Sequence, residues 1–188
     1  NTKAINNVEE NTSTNEEVNT NTTTSSNSKI IVVYYSAQTH TRRVAERIAE
    51  NLNADTFEIV PEDVYSEDDL NWTNSNSRVS KEHNDESLRD IKLKSTSVPN
   101  WEDYDTVILG YPIWWSDFPM AVYTFLESYD FNGKKIIPFC THGGSGLAGT
   151  EREIKDACPN SEILSGLAIV GKTAQNDYAA IEKDVEAW

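Results

Sequence analysis

Ile30-Ile31-Val32-Val33-Tyr34-Tyr35-Ser36-Ala37-Gln38-Thr39-His40-Thr41 is the stretch on which the reading of this 188-residue chain turns. Residues 30–35 form a continuous β-branched and aromatic run, the composition of a strand buried on both faces. Beyond the turn, Val44, Ala45, Ile48, Ala49 and Leu52 recur at i, i+3, i+4 spacing, which predicts an amphipathic helix over residues 41–53. Strand, polar turn and helix are the opening of a βαβ unit. The turn, Ser36 to Thr41, carries hydroxyls and amides straight into a helix N-terminus. Unpaired backbone N–H groups and the positive dipole end make such a turn an anion site, and hydroxyl donors suit a phosphate without a balancing cation. Simple helix capping by Thr39 or Thr41 is the competing reading at this point.

Downstream the same alternation repeats. Strands are expected at residues 56–60, 106–110, 135–140 and 162–170, the last uninterrupted, with helices at 119–129, 151–157 and 178–188. Residues 61–100 are rich in Ser, Asn and Asp, with one helix expected around 85–91, and read as an excursion covering part of a site. Five strands alternating with helices predict a parallel sheet covered on both faces, with ligands at the carboxyl ends of the strands.

Two further loops sit at that edge. Gly110-Tyr111-Pro112-Ile113-Trp114-Trp115 places adjacent indoles at the end of a strand, where large aromatics are costly unless they cap the core or something flat stacks on them. Thr141-His142-Gly143-Gly144-Ser145-Gly146 carries three glycines, which let backbone approach a ligand closely and donate N–H groups to it. Three such loops on one edge predict a planar, phosphorylated ligand.

Upstream of Lys29 the composition changes. Nineteen of the first 28 residues are Asn, Thr or Ser, and none is aromatic, so residues 1–28 read as a disordered leader or tether. The chain begins on Asn1, which leaves room for an upstream signal or an arbitrary boundary, so a cytoplasmic domain and one tethered outside a membrane both stay open. Lys and Arg number 16 against 31 Asp and Glu, a net charge of −15; the leader's four Glu and one Lys leave −12 on the remaining 160 residues. That charge opposes binding to nucleic acid, and no apolar run is long enough for an integral membrane segment. Cys140 and Cys158 lack metal-site spacing and read as buried hydrophobes.

The run Val32-Val33-Tyr34 with Ser36, Thr41, Ala45 and Ile48 is similar to the first-strand signature of the flavodoxin-like family. Tyr111-Pro112-Ile113-Trp114-Trp115, Phe118-Pro119, Thr124-Phe125-Leu126-Glu127 and Gly133-Lys134 resemble a bacterial subgroup of it, and Thr141, Gly143 to Gly146 and Gly166 continue the match over residues 29–188. The resemblance implies a three-layer α/β/α sandwich with a five-stranded parallel sheet of order 2-1-3-4-5. It also implies non-covalent FMN, with Ser36, Ala37, Gln38, Thr39, His40 and Thr41 on the phosphate. Pro112, Ile113, Trp114 and Trp115 would lie beside the isoalloxazine, and Thr141, His142, Gly143, Gly144, Ser145 and Gly146 along its pyrimidine edge. An oxidoreductase taking electrons from NAD(P)H or a redox protein to a small acceptor such as a quinone is expected; the alternative is a flavodoxin-type electron carrier with no substrate of its own. One departure stands out. The family usually has Thr-Gly where this chain has Gln38-Thr39, so a positive φ there would strain Thr39.

Other motifs fail on context. Gly166 to Thr173 fits GxxxxGK[ST], but its variable positions are apolar and read as the strand itself rather than a phosphate cradle after it. Ser36 and Tyr111 stand where a response regulator needs acidic groups. Leu147 breaks a serine-hydrolase elbow around Ser145. His142 could donate to a flavin oxygen, and His83 has no assigned role.

Overall fold

A computed structural model of the chain describes residues 29–188, so the expected leader, 1–28, lies outside the described residues. Strand β1 (Ile30–Tyr35) is followed by α1 (His40–Leu52), β2 (Asp55–Ile59), α2 (Arg78–Asn84), β3 (Thr106–Pro112), α3 (Met120–Ser128), β4 (Lys135–His142), α4 (Thr150–Ala157), β5 (Glu162–Ile163), β6 (Leu167–Val170), α5 (Gly171–Asn176) and α6 (Tyr178–Ala187). The strands form one parallel sheet in the order β2-β1-β3-β4-β5, with β6 also paired to β4. The expected order is therefore found, with the fifth position divided in two.

Alternation along β1 divides the core between two layers. Val32 and Tyr34 pack with Val44, Ala45 and Ile48 of α1 and with Ala174 and Ile181 of the last two helices. Ile31, Val33 and Tyr35 face the other way, against Phe125 and Leu126 of α3 and Ile154 of α4. Every residue from Ile31 to Tyr35 is buried, as the continuous apolar run predicts for a central strand.

The break in the fifth strand is imposed by its neighbour β4. Ile136 pairs with Ile163 and Phe139 with Leu167, so two residues of β4 face three on the edge strand. Pro138 has no N–H for a ladder, and a Cβ on Gly166 would come within 2.8 Å of the Pro138 carbonyl oxygen and 2.9 Å of its ring. The Gly166 N–H leaves the ladder and donates to Glu151 Oε1 at 3.1 Å. β6 is an edge piece in which only Ile169 is buried, so the apolar letters of the GxxxxGK[ST] match do form a strand, though not a buried one. An unexpected helix, α5, starts directly at Gly171.

Residues 61–100 fold back on the sheet through Tyr65, Val79, Ile91, Leu93 and Val98. The expected helix at 85–91 instead occupies residues 78–84. Ser77 accepts the Ser80 N–H as its cap, Val79 supplies the buried contact, and extended Asp85 ends the helix, leaving a 3-10 turn at Glu86–Leu88. Arg89 then donates to the carbonyls of Glu82 (2.9 Å) and His83 (2.6 Å), closing the C-terminal end of α2.

Candidate functional site at the carboxyl edge of the sheet

The turn after β1 is shaped by its own side chains. Ser36 Oγ accepts the Arg42 N–H at 3.2 Å and lies 3.3 Å from the Gln38 carbonyl, to which it donates. Thr39 sits at the N-cap of α1 but makes no side-chain cap bond, so the simple capping reading fails for it. Its φ is −20°, outside the left-handed region, so the strain expected at Gln38-Thr39 does not arise. Among the described residues, nothing accepts the backbone N–H of Gln38, Thr39 or Thr41. Arg42 is paired with Glu58, and Arg43 donates to the Gln175 carbonyl, so both helix-end cations are turned to other partners. His40 is the titratable group left in the turn. Burial, with the Arg43 charge adding to it, holds its imidazole below the ordinary value and favours the neutral ring.

Thr41 does not cap either. Its Oγ1 meets Thr141 Oγ1 at 2.8 Å, with both residues buried. The Thr141 carbonyl accepts the Ile113 N–H at 2.9 Å, so one residue ties the α1 turn to the segment after β3. β3 and β4 each run two residues beyond their expected ends, pairing Tyr111 with Cys140 and Pro112 with Thr141. Tyr111, Pro112, Thr141 and His142 are therefore strand residues rather than loop residues.

The two indoles part company. Trp114 is half-buried and meets Tyr35 and Tyr65 edge-on, with ring centroids at 5.9 and 5.5 Å. Trp115 is exposed and stacks on His83 at 4.6 Å, with 9° between the planes. A tight turn reverses the chain here: Trp114 N–H donates to the Asp117 carbonyl at 2.8 Å, and Asp117 N–H returns to the Trp114 carbonyl at 3.0 Å. Trp115 and Ser116 between them have φ of 49° and 66°, a mirror-image turn built without glycine and strained by about 1 kcal/mol at each residue. Asp117 accepts from Phe118 N–H at 2.7 Å and from the Tyr123 hydroxyl at 3.2 Å, and burial raises its carboxyl above the usual range.

Two adjoining clefts share Trp114. One, of about 310 Å³, is lined by Ala37, Gln38, His40 and Thr41, by Pro112 and Thr141, and by Leu70, Asn71 and Trp72 from the excursion. The other, of about 320 Å³, lies between Ile113, Trp114 and Trp115 and, again, Leu70 and Trp72. Trp72, 70% exposed, overhangs both, and sequence reasoning missed it together with His83; only the expectation that 61–100 covers a site pointed that way.

Residues Gly143, Gly144, Ser145 and Gly146 line neither cleft. The N–H groups of Gly144 and Gly146 donate to His142 Nδ1, at 2.9 and 3.1 Å, so they are not the free ligand donors that the glycine pattern suggested. Cys140 and Cys158 are both buried free thiols, as expected, and burial pushes Cys140 up to about 12. Among the described residues there is no cluster of metal-ligating side chains, and no helix is long and apolar enough to cross a membrane.

The sequence model of the flavodoxin family matches residues 29–185. A candidate flavoprotein from Bacteroides eggerthii has a similar structure at 35% identity and a TM-score of 0.73, covering 86% of this chain and 98% of its own. Another from Bacteroides uniformis is 32% identical with a TM-score of 0.73, covering 85% and 98%. A flavoprotein from Lactobacillus acidophilus, solved in complex with FMN, shares the fold at 18% identity and a TM-score of 0.60, over 79% of this chain and 97% of its own. No curated protein matches the chain significantly.

Proposed function

The chain belongs to the flavodoxin family, and from that premise we propose that residues 29–188 bind FMN non-covalently and pass reducing equivalents from a donor to an acceptor. The observation that carries this reading is the junction around Thr141, where the α1 turn, the Trp114-Trp115 segment and the end of β4 meet over two adjoining clefts.

The donor set fits the cofactor. Unpaired N–H groups at Gln38, Thr39 and Thr41 stand at a helix N-terminus, where the dipole favours an anion, and no arginine competes for it. Each cleft is of the size usual for small-molecule sites, and the second is walled by indole rings suited to a flat ring system. Bound FMN would supply the electron- and hydride-carrying chemistry. The residues of the turn would hold the phosphate, Thr41 and Thr141 would fix the turn against β4, and Trp114 with Trp115 would exclude water from the ring. Trp72, which borders both clefts, would cover the ring from the side of the excursion.

Within that reading we favour an oxidoreductase taking electrons from NAD(P)H to a small acceptor such as a quinone, because a further cleft bordered by His83, Trp115, Phe118, Pro119 and Met120 adjoins the indole wall. A carrier that docks on a basic redox protein is the second reading, supported by the −12 charge on residues 29–188. Steady-state NAD(P)H oxidation with quinone acceptors separates them. Turnover by the FMN-loaded chain alone supports the oxidoreductase, and reduction only in the presence of a separate reductase supports the carrier.

A further inference from the structure

The loop after β4 is held from inside by three fastenings. Cys140 Sγ donates to the Gly146 carbonyl at 3.4 Å, deep in the sheet. The Tyr111 hydroxyl donates to Thr150 Oγ1 at 2.8 Å, and Thr150 donates from its hydroxyl and its N–H to the Leu147 carbonyl, at 2.7 and 3.0 Å. The third fastening is the imidazole of His142, whose Nδ1 receives the N–H groups of both Gly144 and Gly146. An imidazole nitrogen that accepts two N–H bonds carries no proton, so the ring proton is on Nε2. Gly144 and Gly146 have φ of 143° and 63°, values that leave a free glycine chain many alternatives and make an unfastened loop costly to order.

We propose that His142 is a positioning residue for this site: by fastening the 143–146 turn, its Nδ1 holds the end of β4 in place, so that Thr141, which lines the first cleft, is set before a ligand binds. The inference rests on the FMN reading for the identity of the ligand, while the fastening itself is a property of the flavin-free chain. It assigns His142 to the loop and not to the ligand, in contrast to a ring that donates from Nε2 to a flavin oxygen.

Two substitutions separate these roles. His142→Asn leaves an amide oxygen near the position of Nδ1, and His142→Gln places its amide near the position of Nε2; His142→Ala removes both. FMN dissociation constants, read by flavin fluorescence, are expected to stay within about twofold of the parent for Asn and to rise about tenfold for Ala and Gln, which leave the Gly144 and Gly146 N–H groups without their acceptor. Retention of affinity by Gln with its loss in Asn would assign the ring to the ligand and overturn the proposal, as would parental affinity in Ala. In the flavin-free protein, ring ¹⁵N shifts of His142 are expected to report the Nε2–H tautomer, with slowed amide exchange at Gly144 and Gly146. An Nδ1–H tautomer with unprotected amides overturns the fastening even if FMN binds. An intact fastening in a chain that takes no FMN counts against the function and not against the fastening.

Discussion

Thr41 and Thr141, one hundred residues apart, place their hydroxyl oxygens 2.8 Å from each other in a spot closed to solvent. A buried hydroxyl left without its partner loses its solvation and gains nothing in return. Thr141→Val keeps the shape and strands the Thr41 hydroxyl, so it is expected to cost about 1–3 kcal/mol in chemical denaturation. The pair Thr41→Val with Thr141→Val removes both groups and should cost less than the two single changes together. Strict additivity would mean that the hydroxyls do not interact.

The imidazole of His40 gives the site a proton-linked signature. Burial and then Arg43 depress its folded value, so its contribution to stability is complete above the ordinary imidazole value and is lost as pH falls through the lowered one. An anion seated on the turn acts in the opposite direction, favouring the charged ring. FMN binding at about pH 6–7 is therefore expected to take up protons, measured calorimetrically in buffers of different ionisation enthalpy. His40→Gln should abolish that uptake and leave only the protons released by the ligand phosphate, whose dianion the helix-end N–H groups favour. Equal uptake in both proteins would remove His40 from the phosphate's surroundings.

Trp72 is exposed and borders both clefts. Trp72→Ala is expected to leave stability within about 0.5 kcal/mol, as for most exposed positions. If the side chain closes over a flat ring, FMN affinity falls about three- to tenfold. Unchanged affinity would make the overhang irrelevant to the ligand.

The parts of the fold set by local periodicity are legible in the sequence, and the parts set by distant packing are not. β1 and α1 are encoded by the apolar run from Ile30 and the spacing of Val44, Ala45, Ile48 and Ala49, which match the observed element ends within one residue. β3 and β4 outlast their hydrophobic runs because Pro112 and Thr141 pair across the ladder, a register effect that composition does not carry. The broken fifth strand depends on Pro138 meeting Gly166 from another element. Of the three site loops, the first two do line the clefts, while the glycine loop spends its N–H groups on His142. His83 and Trp72 come from the polar excursion, whose residues acquire meaning only once α2 lies against Trp115.

The central claim, that the turn after β1 holds the phosphate of a flavin whose ring lies by Trp114, is tested most directly by titrating the flavin-free chain with FMN and with riboflavin. Flavin fluorescence should be quenched to saturation at one FMN per chain, and riboflavin, which lacks the phosphate, should bind at least about tenfold more weakly. Equal affinity for the two flavins would contradict the phosphate assignment, and the absence of saturable FMN binding would contradict the account as a whole.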